Sequence, residues 1–258
     1  MFTTALLALA ATLTSATPHH LDHSDSQLPP TSTATGFALV ANLTDPDMAH
    51  NLFLDDINHW SLRGVHVGAG QSTAVLAKPN TSSTTGSPHQ IYYQNSTGGI
   101  SLDDSNPFPL SIRLSGAYDT DFPTVLYLGI FFGLSTPTLS ISSPAGHPRL
   151  FVSGAGVNSP EGQEATSPGS PVTNDEAPEL YQRGSFVVCN ETDPVYTRPQ
   201  YPVRFAMASL DGTISLPSNC ARIELLAECG KLRFVDGATG LEYGQDRPGS
   251  VGCFDGAI

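Results

Sequence analysis

Four cysteines, Cys189, Cys220, Cys229 and Cys253, have the most legible chemistry in this 258-residue chain. They could hold zinc or pair as disulfides. A zinc ribbon needs C-x-x-C spacing, and these spacings are far wider. An even number in an oxidising compartment reads as two disulfides. Strand geometry removes one of the three pairings. Ala221 to Ala227 alternates, with Ala221, Ile223, Leu225 and Ala227 on one side and Arg222 and Glu224 on the other. As an extended strand it would hold Cys220 and Cys229 roughly 30 Å apart, at about 3.3 Å per residue. A disulfide needs Cα atoms within about 7 Å. Of the two pairings left, Cys189–Cys220 with Cys229–Cys253 closes the shorter loops and is preferred.

Catalytic constellations are harder to find, and no catalytic residue is assigned. No G-x-S-x-G elbow occurs. Asp119-Thr120-Asp121 superficially resembles an aspartic-protease loop. It lacks the required Gly, and no second copy exists to share a proton with it. A turn before a strand at Val125 is the better reading. Glycosidases place two carboxylates at a set separation, and nothing marks out such a pair among 24 acidic residues. His19-His20-Leu21-Asp22-His23 could bind Cu(II) or Zn(II) weakly. An N-terminal copper histidine would need cleavage directly after Pro18, which leader processing disfavours. The acidic pairs Asp45/Asp47, Asp55/Asp56, Asp103/Asp104 and Asp119/Asp121 fit no EF-hand loop and each suits a turn. No metal or cofactor is expected.

The compartment follows from Met1 to Ala16. That stretch is apolar and small, with a central run Ala5 to Ala11 and a small-residue exit at Thr14-Ser15-Ala16. This is the layout of a secretory leader, although no Lys or Arg precedes the apolar run. The run is far shorter than the roughly 20 residues that span a bilayer, and no later segment is long enough. The end of the chain, Asp246 to Ile258, is polar and Gly-rich and lacks a lipid-anchor tail. The predicted location is extracellular or in a cell wall. Four N-glycosylation triplets begin at Asn42, Asn80, Asn95 and Asn190. The net charge is −13, and only eleven basic residues are scattered along the chain, none before Arg63. Nucleic acid, which needs clustered Lys and Arg, is excluded as a partner.

Strands must position all of this. Thr17 to Thr35, rich in Ser, Thr, Pro and His, has no apolar periodicity and reads as a disordered arm over 17–35. One β domain is then predicted over 36–258. Phe37, Leu39, Ala41 and Leu43 alternate with Ala38, Val40 and Asn42, a period-two strand. Trp60 to Val67 and Ser72 to Ala77 read as a hairpin across Gly68-Ala69-Gly70. Ile91 to Tyr93, Leu110 to Leu114 and Leu150 to Val152 are short strands. Val125 to Phe132 is nearly all apolar, as in a strand covered on both faces. Leu139 and Ile141 alternate with serines. Residues 153–180 are long, acidic and Gly/Pro-rich, as in a flexible insertion. Ser185 to Val188, Tyr201 to Met207, Ala221 to Ala227 and Lys231 to Val235 complete the set. Short strands with Gly/Pro turns predict an all-β fold, a β-sandwich or else a partly open β-barrel with long irregular loops. Trp60, Tyr92 and Tyr93 form a candidate ligand patch, since exposed aromatic faces stack on sugar rings.

The run Gly36-Phe37-Ala38-Leu39-Val40-Ala41-Asn42-Leu43-Thr44-Asp45 is followed by Trp60, by His66-Val67-Gly68-Ala69-Gly70 and by Ala74-Val75-Leu76. With Gln200-Tyr201-Pro202-Val203-Arg204, Pro217 and Cys220, this resembles a family of fungal secreted proteins labelled IgE-binding or cell-wall-associated. The resemblance spans roughly Gly36 to Cys229, and Asn158 to Glu179 looks like an insertion relative to it. It implies a secreted surface or wall protein, antigenic or in contact with a host, and supplies no catalytic residues. The function expected is a non-enzymatic extracellular protein whose partner is cell-wall polysaccharide or a host protein. A polysaccharide-binding module and a hydrolase of unrecognised type are the alternatives.

Overall fold

In the computed structural model, the described residues are 31–45, 52, 56–68, 71–79, 89–105, 110–117, 122, 124–133, 139–142, 147–152, 184–192, 199–209, 211–235 and 248–255. The proposed leader, the His cluster, Asn80, Asp119 to Asp121 and the insertion at 153–180 lie outside them.

The fold is all-β. The strands are β1 (Thr31–Ala34), β2 (Gly36–Leu43), β3 (Ser61–Gly68), β4 (Gln71–Ala77), β5 (Tyr92–Gln94), β6 (Ile100–Leu102), β7 (Leu110–Ala117) and β8 (Val125–Phe132). They continue with β9 (Leu139–Ser142), β10 (Arg149–Val152), β11 (Ser185–Cys189), β12 (Glu191–Thr192), β13 (Pro199–Gln200), β14 (Val203–Ala206), β15 (Cys220–Gly230) and β16 (Val251–Phe254). Fourteen of them form one mixed sheet, and β12 with β13 forms a separate ribbon. The large sheet runs β1-β16-β15-β11-β14-β8-β4-β3-β2-β5-β6-β7, with β10 paired to β15 and β9 to β10 off this path, and closes on itself through β15–β2 and β8–β7 pairings. The closures leave few open edges, the feature that otherwise invites pairing between molecules.

The two-residue period explains why these segments are strands. On β2, Phe37, Leu39 and Ala41 enter the main core, while Ala38 and Val40 enter a second core with Ile91, Tyr93, Leu226 and Phe254. The β2 strand is therefore covered on both faces over most of its length. A third cluster, Val125, Val187, Cys189, Ala206 and Cys220, joins the outer face of β11 to the adjoining ends of β8, β14 and β15, with Ile214 and Leu216 packed on it, while Tyr127 and Phe132 leave β8, expected to be covered on both faces, partly exposed. Each large apolar side chain removed from water contributes roughly 1.5–3 kcal/mol. The three clusters thus account for the sheet's coherence without any helix element among the described residues.

The β15 strand is the seam of the molecule. Its eleven residues pair with β2 along Ile223 to Gly230, with β11 along Cys220 to Ile223, and with β10 at Leu226. Continuous extension from Cys220 to Gly230 keeps Cys220 and Cys229 apart. The disulfides are Cys189–Cys220 and Cys229–Cys253, with Cα separations of 4.0 and 5.1 Å. They close 31- and 24-residue spans, worth about 3–4 kcal/mol each on the chain-entropy model.

Two sequence expectations need correction. The arm assigned to 17–35 ends sooner, because Thr31–Ala34 is a strand paired with β16. Thr31-Ser32-Thr33-Ala34 offers little apolar surface; the backbone ladder with Val251 to Phe254 makes it a strand. Lys231 to Val235, expected as a strand, is a series of bends. The cause is Asp103, whose carboxylate accepts from the backbone N–H groups of Arg233, Phe234 and Val235 at 2.7, 3.1 and 3.1 Å. Those donors serve a side chain instead of a neighbouring strand.

Candidate functional site

The candidate aromatic patch is not on the surface. Trp60 is 8% exposed, Tyr92 is 0% and Tyr93 is 1%. Adjacent residues of a strand face opposite ways, so Tyr92 enters the main core and Tyr93 the second core. Trp60 packs edge-on against Tyr201 at 5.4 Å, and the Lys78 ammonium sits 5.3 Å from its ring centre. The Tyr92 hydroxyl lies 3.1 Å from the Leu62 carbonyl and 3.2 Å from Gln90 Oε1. Burial raises its pKa well above the ordinary tyrosine value, with the nearby Arg63 charge opposing. These three side chains hold the core together and cannot stack on a sugar.

The glycosylation triplets fare unequally. Asn95 is 3% exposed, and its Oδ1 accepts from Thr97 N–H, Thr97 Oγ1 and Gly99 N–H at 3.1, 2.7 and 2.9 Å. It shapes the β5–β6 turn, and its burial leaves little room for a glycan in the folded protein. The triplet at Asn95 is a candidate only if exposed, and the side chain is buried. Asn42 and Asn190 are half-buried. The Asn42 amide donates to Glu224 at 3.4 Å, and the Asn190 amide donates to the Leu52 carbonyl at 2.5 Å.

Charged side chains mostly serve the framework. Arg204, 3% exposed, forms a fork to both oxygens of Glu191 and lies 4.2 Å from the Tyr127 ring centre. That pair ties β14 to the β12–β13 ribbon. His89 Nε2 lies 3.8 Å from Glu228 Oε1. Burial, and then the charge of Arg63, lower the His89 pKa from its ordinary value. Asp103 is spent on backbone donors, as described above. Among the described residues, no three His, Cys, Asp or Glu side chains come together as a metal site would require.

A shallow concavity lies among the described residues beside β15. The β15 strand is flanked by β11 as far as Ile223 and by β10 at Leu226. Where it passes from one neighbour to the other, a cleft of about 140 Å³ opens. Its floor is the Phe186–Phe205 edge-to-face pair, ring centres 5.1 Å apart, together with Ile223. Leu150 and Val152 of β10 form an apolar wall. Gly184 closes one end because a Cβ there would meet the Phe205 ring at 2.3 Å and the Ala206 carbonyl at 2.7 Å. At the rim, Arg149 donates to Glu224, which also takes the Asn42 amide. Phe186 and Phe205 are core side chains, buried like Trp60 and the two tyrosines, and at the rim one guanidinium and one carboxylate neutralise each other. Sequence reasoning missed the concavity. Its aromatics come from β11 and β14, and only the handover on β15 brings them to β10.

Comparison with known proteins gives the chain its relatives. The full-length CARDS toxin is a similar solved structure, with TM-score 0.40 and 11% identity over 83% of this chain. This chain spans only 29% of that toxin's length. Antigenic protein SchS34 of Stachybotrys chartarum is 28% identical over 237 residues, covering 88% of this chain and 89% of the relative. The model of a domain of unknown function (DUF7907) matches residues 34–229, more than half of the sequence, and this chain belongs to that family.

Proposed function

We propose that this chain is an extracellular fungal protein that acts without catalysis, in a cell wall or in contact with a host, and is antigenic. The observation that carries this reading is its similarity, along nearly its whole length, to a protein named as antigenic. Two disulfides and the leader-like first 16 residues support export. Residue chemistry supports a non-catalytic role. Three of the described carboxylates, Asp103, Glu191 and Glu224, are committed to donors of the framework. The polysaccharide-binding alternative loses its motive, because Trp60, Tyr92 and Tyr93 are buried.

The test is expression of the whole chain in a filamentous fungus. The mature protein is expected in the medium, beginning just after residue 16, with no free thiol. Sera that recognise extracellular fungal extracts are expected to bind it, the native form more strongly than the reduced form. Retention in the cytosol with all four thiols free would overturn the reading on location. Absence of serum binding would overturn the antigenic part.

A further inference from the structure

We infer that the exposed row of β1, Thr31 and Thr33 with Thr35 just beyond, is a site of O-linked glycosylation, in which threonine hydroxyls carry hexoses. Register sets the row. Ser32 pairs with Cys253 and Ala34 with Val251, and both partners belong to the main core. Thr31 and Thr33 therefore stand on the other face, opposite Phe254 and Gly252. Thr31, Thr33 and Thr35 are exposed, whereas Ser32 and Ala34 are half-buried. Gly252 sets no side chain beside Thr33. Composition agrees. Four of the five residues from Thr31 to Thr35 carry a hydroxyl, and Pro29-Pro30 stands directly before them. Ser/Thr stretches with proline are the compositional mark of O-glycosylated segments.

The edge gives the modification a purpose. Among the described residues, β1 pairs with β16 alone, so its other side is an open edge of the large sheet. Proteins blunt such edges with Lys, proline or bulges, and Thr31-Ser32-Thr33-Ala34 has none of these. Its one built-in protection is a length of four residues. Sugars on Thr31 and Thr33 overhang that edge and keep a strand of another molecule off it. The sugar comes from a glycosyl phosphate donor. The bond from its anomeric carbon to the phosphate oxygen breaks, and a bond from that carbon to threonine Oγ1 forms. The hydroxyl proton passes to a base of the transferase, and the phosphate carrier leaves. The site rests on the export proposed above.

Peptide mass spectrometry with electron-transfer fragmentation tests this on the whole chain expressed in a filamentous fungus. The chymotryptic peptide ending at Phe37 is expected to carry hexose on Thr31, Thr33 or Thr35 and none on Ser32. Thr31→Val, Thr33→Val and Thr35→Val together keep the branched β-carbon that strands favour and should remove every hexose from that peptide. Ser32→Ala should remove none. Hexose-free threonines on protein from the medium overturn the site alone. A chain held in the cytosol overturns it together with the export on which it rests. Hexose that survives the triple replacement, or that disappears with Ser32→Ala, overturns the assignment to the exposed row. Exoglycosidase treatment of the folded protein leaves the sequence intact and should raise its mean mass in light scattering through association. A mean mass that does not rise overturns the edge-covering role.

Discussion

At the scale of single residues, buried polar groups do most of the specifying. Asp103 fixes the bend at 233–235 with three backbone hydrogen bonds. Asp103→Ala leaves those donors without their acceptor. A loss of about 3 kcal/mol is expected, the cost of orphaning buried donors, read as a lower denaturant midpoint with unchanged slope. His89 carries a pH dependence. Its lowered pKa means that the unfolded chain takes up the proton first as pH falls below the ordinary value of 6.5. Stability from the neutral imidazole is fully present above that value. It is lost as pH falls from there towards the folded-state pKa. Denaturant midpoints measured between pH 8 and pH 5 should therefore fall, and His89→Gln should flatten that part of the profile. Arg63 and Glu228 face His89 with opposite signs, so Arg63→Gln should flatten it in part.

At the scale of elements, the terminal pair β1–β16 hangs on the rest of the molecule largely through β16. Only Glu228↔Phe254 pairs β16 with β15, while Cys229–Cys253 bonds the same two strands covalently. Replacing Cys229 and Cys253 by alanine should cost about 3–4 kcal/mol. Amide-exchange protection should be lost first in β1 and β16, while β11 and β14 stay protected. Replacing Cys189 and Cys220 should have the opposite footprint, since that bond joins β11 to β15 inside a buried cluster. Much of this scale was legible in the sequence. Alternation in Gly36 to Leu43 and in Ala221 to Ala227, and the apolar run Val125 to Phe132, mark strands that the structure contains. The strand at Thr31–Ala34 was illegible because its cause is a partner 220 residues away, not its own side chains. The failed strand at Lys231 to Val235 has the same kind of cause. Its N–H groups are captured by Asp103, roughly 130 positions earlier. Local pattern reports local burial and says nothing of which distant group will compete for the backbone.

At the scale of the whole molecule, the candidate site was the least legible part. Trp60, Tyr92 and Tyr93 drew attention as aromatics, yet the period of a strand already forbids Tyr92 and Tyr93 from sharing a face. The cleft depends on β15 changing partners, a property of the closed sheet and of no single segment. Burial of Asn95 extends to the molecule's surface chemistry. Mass spectrometry of the protein expressed in a filamentous fungus, after enzymatic glycan removal in heavy-oxygen water, is expected to show unmodified Asn95. Heavy-isotope aspartate at that position would mean that the β5–β6 turn opens during synthesis long enough to be modified.

The two cross-links on β15 carry one more implication. They start from Cys220 and Cys229, near the two ends of the strand, and run to Cys189 and Cys253. A protease that nicks the backbone between Cys189 and Cys220, or between Cys229 and Cys253, severs the main chain without releasing a fragment. The pieces remain riveted to the same strand until a reductant arrives. Clipped at such places, the molecule keeps its folded surface in one piece.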